Sequence, residues 1–577
     1  MLTRIARAQL RPHLPAVGLL VTLHLVQTLA ALYLPTLNAD IIDNGLAKGD
    51  TAYIWRTGAY MTVVALLQLA GAISAAYLGA RIAMTVGRDL RTAVFERVQA
   101  LPTREMTRFG TPSLITRTTV DVQQVQTLCT MVLTFMVSVP ITCIGGSVMA
   151  LRQDVALSGV LLGTAPLLGC VVLVFAFRMR PLVREMQERV DDVNRALREH
   201  ITGLRVMRAF GRGHHEKRRF AHVNRALMDL SVRTGYLMSL MPPAVMLVVN
   251  ASSLAVMWLG AHRIDDGQLR VGALTAFISY LMQILMSVLM ATFTFMLVPR
   301  AEACAERITE VLASGTDTHA AAQPVTSLRA PGHLELRSVG FRYPGAQGPV
   351  LSGIDIAVRP GEVVGLVGST GSGKSTVLQL AAGLLEPTEG AVRLGGTDLN
   401  ELDRRLVTQT VGLVPQSPYL FTGTVASNLR FGRPEASDED LWQALETAQA
   451  RDFVAALPGD LSAPVAQGGA NLSGGQRQRL AIARALVHSP QIYLFDDAFS
   501  ALDSTTEARL REALSAATAG LTVVVVAQRV STVREADRIL VVDQGRIAGA
   551  GTHSELIATN DIYREIVLSQ LTAEEAV

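Results

Sequence analysis

The chain has 577 residues, 49% of them apolar and only 18% charged, with a mean hydropathy of +0.32. That length exceeds one ordinary core, and the low charge and positive hydropathy together suggest membrane residence; two or more domains are expected. A net charge of only +3 gives no electrostatic basis for a nucleic-acid partner.

Six stretches lack Asp, Glu, Lys and Arg: 12–39, 57–80, 122–151, 155–177, 234–262 and 271–299. Each is long enough to cross a hydrocarbon layer of about 30 Å as a helix. The first follows Arg4, Arg7 and Arg11 and is too long for a cleavable signal, so it reads as a retained span. Connections after the first, third and fifth spans are short. Those after the second and fourth, 81–121 and 178–233, are long and basic, with seven Lys/Arg against four Asp/Glu and fourteen against seven. The excess of basic residues puts both long connections and both termini in the cytoplasm. Divided between two helical extensions, the first connection gives arms of about 30 Å, so the helices are expected to project below the bilayer as levers. At their tips lie "FGTPSLITRTTVDV" (109–122) and "RAFGRGHHEKRRF" (208–220), where Gly and Pro can reverse the chain and a short crosswise helix can follow. His214 and His215 lack a third nearby ligand and are not read as a metal site. Cys129, Cys143, Cys170 and Cys304 have no CxxC spacing and read as small buried apolar side chains.

Residues 313–332, "ASGTDTHAAAQPVTSLRAPG", are small, polar and Pro/Gly-containing, the composition of a linker. The expected organisation is a transmembrane domain over 1–312, this linker, and a soluble domain over 333–577. In the latter, "EVVGLVG" (362–368), "IYLFD" (492–496) and "TVVVVAQ" (522–528) read as buried parallel strands of an α/β domain. The first strand runs into "GSTGSGKST", residues Gly368, Ser369, Thr370, Gly371, Ser372, Gly373, Lys374, Ser375 and Thr376. This is the phosphate-binding G-x-x-x-x-G-K-[ST] loop between a strand and a helix-compatible segment. Its backbone N–H groups wrap phosphates, Lys374 reaches the outer ones, and the Ser375 hydroxyl helps hold Mg²⁺. Asp496, ending a second apolar strand, is the expected Mg²⁺ partner, and ATP with Mg²⁺ is the expected ligand pair.

"NLSGGQRQRLAIARAL" (471–486), just before the Asp496 strand, narrows the class. With it the whole chain resembles the ATP-binding cassette (ABC) exporters in their half-transporter form, of the multidrug or lipid type. The implied fold is six transmembrane helices with long cytoplasmic extensions plus an α/β P-loop ATPase cassette. The resemblance assigns "LSGGQ", with Ser473, Gly474, Gly475 and Gln476, as the family signature acting across a dimer. It assigns Tyr343 to adenine stacking and Gln416 to Mg²⁺ and the membrane levers. Asp503, closing "SALD", belongs to the loop exchanged across the cassette dimer, and 109–122 and 208–220 become coupling segments. In the family, two cassettes sandwich ATP head to tail between one P-loop and the other's signature.

This sequence departs from the family pattern at particular positions. Asp497 stands where a glutamate polarises water, one methylene short, and Gln528 stands where a histidine contacts the γ-phosphate. A misplacement of about 1 Å can cost about 10²-fold in rate, and an amide carries no charge at any working pH. Gln467 replaces a frequent glutamate. Lys374, Ser375, Gln416 and Asp496 are all present, so binding is expected to be intact and hydrolysis weakened. The expected role is the weak-site subunit of a bacterial heterodimeric exporter, whose partner half-transporter carries the missing Glu and His. A homodimeric exporter, an exporter-fold importer and an ATP-gated channel or regulator are the alternatives. For cargo, Met238, Met241, Met246, Met257, Met282, Met286, Met290 and Met296 suit an adaptable apolar cavity as well as simple packing. His24, Gln27 and Asn250 read as interhelical hydrogen-bonding groups. No span holds an acidic residue, so no proton or metal-ion relay is expected.

Overall fold

The computed structural model describes residue 7 and residues 9–314 and 324–570. Residues 315–323, the middle of the expected linker, lie outside the described residues. The chain divides into two compact units, one of Met1–Gln99 with Pro112–Ala313 and one of Ala100–Thr111 with Ser314–Val577.

Among the described residues, six helices in the first unit are long and apolar enough to cross a membrane: Arg11–Leu46, Thr51–Gln99, Thr111–Gln153, Val155–Thr202, Gly213–Asp265 and Val271–Ala313. At 1.5 Å per residue the second, with 49 residues, is about 74 Å long, so more than half of it lies beyond a bilayer core of about 30 Å. The helices continue past their apolar runs because the flanking "RIAMTVGRDLRTAVFERVQ" keeps apolar residues at helical spacing (Ile82, Val86, Leu90 and Val94 are all buried) while charges fill the other faces. The first helix packs on the second, the third on the sixth and the fourth on the fifth. An apolar cluster ties Leu157, Leu161 and Leu168 of the fourth helix and Val245–Val256 positions of the fifth to Phe277, Tyr280 and Leu285 of the sixth.

The tips differ from expectation in order. The short helices, Thr103–Phe109 and Leu204–Ala209, precede the glycine turns instead of following them. Gly110 (φ +73°) and Gly211 (φ +65°) take left-handed backbone at the helix ends, where glycine terminates a helix at no steric cost. The cysteines also depart: all four are free, but only Cys304 is buried, and Cys170 is exposed. An apolar run surrounded by hydrocarbon need not turn its small residues inward. In the cytoplasmic part of the first unit Asp121, 1% exposed, accepts from Arg307 through both oxygens, at 2.8 and 2.5 Å. Arg117 adds bonds to the Arg307 carbonyl (2.9 Å) and to Glu310 (2.8 Å), joining the third helix to the sixth.

The second unit is built on a six-stranded sheet ordered Arg546–Gly551, Arg538–Asp543, Val363–Gly368, Thr522–Val526, Ile492–Asp496, Val411–Val414. All pairings are parallel except that of the first two. Ile492–Asp496 is buried at every position, which is why its sequence is a continuous apolar run rather than an alternating one. A four-stranded antiparallel sheet, containing Leu334–Phe341, Leu351–Val358 and Glu389–Leu394, covers one side through Leu336, Ile354, Ile356 and Val392.

Candidate nucleotide site

In an open parallel sheet, ligand groups gather beyond the carboxyl ends of the strands. Here four neighbouring strands deliver them. Val363–Gly368 leads into the phosphate loop, Val411–Val414 into Gln416, Ile492–Asp496 into Asp496 and Asp497, and Thr522–Val526 into Gln528. The register pairs Val526 with Asp496, so the Asp497 N–H reaches the Val526 carbonyl at 2.9 Å and the acidic pair is set against Gln528.

The loop itself needs glycine. A Cβ on Gly368 (φ +152°) would overlap the Val542 carbonyl, and Gly373 (φ +98°) starts the helix Lys374–Ala381 from left-handed backbone. Lys374 folds over the loop, donating from Nζ to the carbonyls of Gly368 (2.9 Å) and Ser369 (2.7 Å) and to Ser372 Oγ (3.3 Å). Burial lowers the Lys374 pKa, and the charges of Asp497 and Asp496 act against that shift. Ser375 Oγ donates to Asp496 Oδ1 at 2.8 Å. Burial pushes Asp496 above the usual carboxylate range and the like charge of Asp497 adds to it, while the Ser375 bond and Lys374 oppose. A carboxylate with a hydroxyl beside it fits a Mg²⁺ ion that takes most ligands from phosphate and water. Among the described residues no cluster of three or more His, Cys, Asp or Glu could hold a metal alone.

Asp497 is the junction of the site. It is 7% exposed, has left-handed backbone (φ +48°), and its Oδ2 accepts two amide N–H bonds, from Gln416 at 3.1 Å and from Gln528 at 3.0 Å. Ser500 Oγ donates to the Asp497 carbonyl at 2.8 Å. Phosphate loop, Gln416, Asp496, Asp497 and Gln528 thus form one neighbourhood. Tyr343 shares a hydrogen bond with Thr376 (3.2 Å), stands edge-on to Phe341, and leaves 37% of its surface open beside the P-loop helix.

The signature stands apart from this neighbourhood; among the described residues no hydrogen bond joins it to the phosphate loop. Ser473 and Gln476 close a reciprocal cap on the helix Gly474–His488, Ser473 N–H to Gln476 Oε1 at 2.9 Å and Gln476 N–H to Ser473 Oγ at 3.2 Å. Leu472 is buried as its anchor, and nothing lies within 4 Å of a Cβ placed on Gly474, so the helix start is open at that position. Asp503 caps the helix Ser504–Ala517; the Thr506 N–H (3.0 Å) holds its carboxyl below the usual range. Gln467 is exposed in a short turn. Sequence reasoning missed Glu507 and Gln570, which fix the segment after Gln528. Glu507 carries a faint signal as an acid in a helix's first turn, and Gln570 carries none.

Comparison with known proteins agrees with this architecture. Residues 17–288 match the ABC transporter transmembrane region and residues 351–500 the ABC transporter domain. An ABC transporter ATP-binding protein of Mycobacterium tuberculosis is 47% identical, covering 99% of this chain and 98% of its own. An ATP-dependent lipid A-core flippase of Bordetella avium is 33% identical, over 91% of this chain and 88% of that one. A bacterial Atm1-family ABC exporter solved with ATP bound superposes with a TM-score of 0.82 at 25% identity, over 97% and 98% of the two chains.

Proposed function

The chain belongs to the ABC transporter family in its exporter form, a multi-pass protein of the cytoplasmic membrane with an ATP-hydrolysing cassette in the cytoplasm, and from that premise we propose that it is the weak-site half of a heterodimeric exporter. The observation that carries this reading is the Asp497 carboxylate, one oxygen of which is taken by two neutral amides. A base that activates water needs a lone pair free and aimed at that water. Asp497 is short, anchored at its own backbone and held through one of its two oxygens by Gln416 and Gln528, and the Gln528 amide orients it without exchanging a proton near neutral pH as a histidine would.

In this reading Lys374 and the loop N–H groups hold the phosphates, Tyr343 stacks on adenine, and Ser375, Asp496 and Gln416 hold Mg²⁺. When bound, Mg²⁺ neutralises phosphate charge. Asp497 and Gln528 orient groups around the γ-phosphate without activating water efficiently, so ATP is retained. The capped Ser473–Gln476 helix start, open at Gly474, serves the partner's P-loop, where the Glu and His reside. The cargo is an apolar or amphipathic small molecule. Met238, Met246, Met286 and Met290 are about half exposed on the fifth and sixth helices, soft surfaces that adapt to irregular apolar shapes. The flippase relative is named for a lipid of that character.

The test is ATPase activity of this chain purified alone. The expected result is little turnover. Vigorous turnover that Asp497→Ala abolishes makes Asp497 a competent catalytic acid and refutes the reading.

A further inference from the structure

The segment carrying Gln528 leaves its strand at Val526 and enters the short helix Val530–Val533. Arg529 occupies the N-cap but makes no side-chain cap bond, so the Val530 N–H is an orphan donor of the kind every helix start leaves. Side chains from two other elements fix this segment. Glu507, 6% exposed in the helix Ser504–Ala517, accepts from Arg529 at Oε2 (2.7 Å) and from Thr532 at Oε1 (2.6 Å). Gln570, just past the C-terminal helix Asp561–Leu568, directs its carboxamide at the backbone. Its Nε2 donates to the Gln528 carbonyl at 2.8 Å, and its Oε1 accepts the Val530 N–H at 2.9 Å. One planar amide therefore holds the backbone on both sides of Arg529 and supplies in trans the cap that Arg529 does not.

We propose that Gln570 is a positioning residue for ATP hydrolysis, acting through the backbone of 528–530 to fix where Gln528 presents its amide to Asp497. An open space of about 210 Å³, lined in part by Asp497, Gln528 and Thr532, borders the segment. Without the brace, the peptide has room to relax into it. Glu507 holds the side-chain half of the same segment, but among the described residues only Gln570 hydrogen-bonds the backbone of Gln528 itself. The residue just past the helix Asp561–Leu568 thereby supports the hydrolytic site through the backbone of Gln528.

The experiment uses the full-length protein in lipid nanodiscs with Gln570→Leu, which removes both hydrogen bonds, and Gln570→Glu, which keeps the acceptor for Val530 and loses the donor to Gln528. Amide hydrogen exchange over 528–532 is read beside single-turnover hydrolysis and ATP affinity. For Gln570→Leu we expect exchange at Val530 faster by roughly tenfold. The hydrolysis rate at this chain's site should fall on the order of tenfold, with ATP affinity within about twofold of the parent, since the P-loop is untouched. Gln570→Glu should restore most of the protection at Val530 and recover part of the rate. Unchanged exchange in Gln570→Leu overturns the proposal, as does faster exchange with an unchanged rate. A parallel loss of rate and affinity also overturns it, by making Gln570 a general stabiliser of the fold. Exchange at Val530 reads the brace directly, whether or not this site is the slower one of a dimer.

Discussion

Restoring this site takes two changes. Asp497→Glu extends the carboxylate by about 1.5 Å, one C–C bond, the scale on which a misplaced group costs about 10²-fold. Yet the longer side chain still meets Gln528, whose Nε2 lies 3.0 Å from Asp497 Oδ2 and whose amide is neither an acid nor a base near neutral pH. Asp497→Glu alone should therefore raise the single-turnover rate by less than about tenfold, because acid–base exchange at the neighbouring position is itself worth about 10²–10⁴-fold. Asp497→Glu with Gln528→His should raise it on the order of 10²-fold or more. The gain should exceed the product of the single effects, as expected for groups in contact. Single-turnover hydrolysis of labelled ATP on the purified full-length protein, normalised to nucleotide bound, measures this. The double variant should also acquire a pH dependence centred near about 6.5, the unperturbed range of histidine, that the parent lacks. A full rate from Asp497→Glu alone would refute a limiting role for Gln528. No gain from the double variant would refute the assignment of the deficit to these positions.

Burial raises the Asp496 pKa and the Ser375 bond opposes it, so Mg²⁺-dependent ATP affinity should decline on acidification from a higher pH than an ordinary carboxylate would give. Ser375→Ala should move that decline higher still, which titration calorimetry at stepped pH checks; no movement would contradict the assignment. Arg307→Ala leaves the buried Asp121 without its partner. It should cost about 3 kcal/mol, the lower end for a broken buried pair because the Arg307 side chain is half exposed. Replacing both residues by leucine should cost less, as thermal unfolding in detergent would report. Charge reversal over 212–217, beside the exposed Phe210, should uncouple transport from ATPase activity in vesicles and leave nucleotide affinity nearly unchanged.

The phosphate loop and the apolar spans were legible because their signals are local. Glycines at fixed spacing meet the backbone demands at Gly368 and Gly373, and uncharged runs match the hydrocarbon thickness. The strands ending at Gly368, Asp496 and Val526 followed from unbroken β-branched and apolar runs. What the pattern did not give depends on distant partners. That Asp497 accepts both Gln416 and Gln528 follows from the order of three strands, which no window of sequence contains. Gln570 bonds backbone groups, which carry no residue identity to match. The order of short helix and glycine turn at the lever tips was misread because Gly110 and Gly211 end a helix as readily as they open one.

Retention of nucleotide at this chain's P-loop tests the central claim most directly. The assembled transporter is loaded with a photoreactive labelled ATP, chased with unlabelled ATP through several turnovers, and crosslinked, and the label remaining on this chain is counted. A weak site built around the doubly occupied Asp497 predicts label that persists through those turnovers. Label lost as fast as ATP is hydrolysed would contradict it.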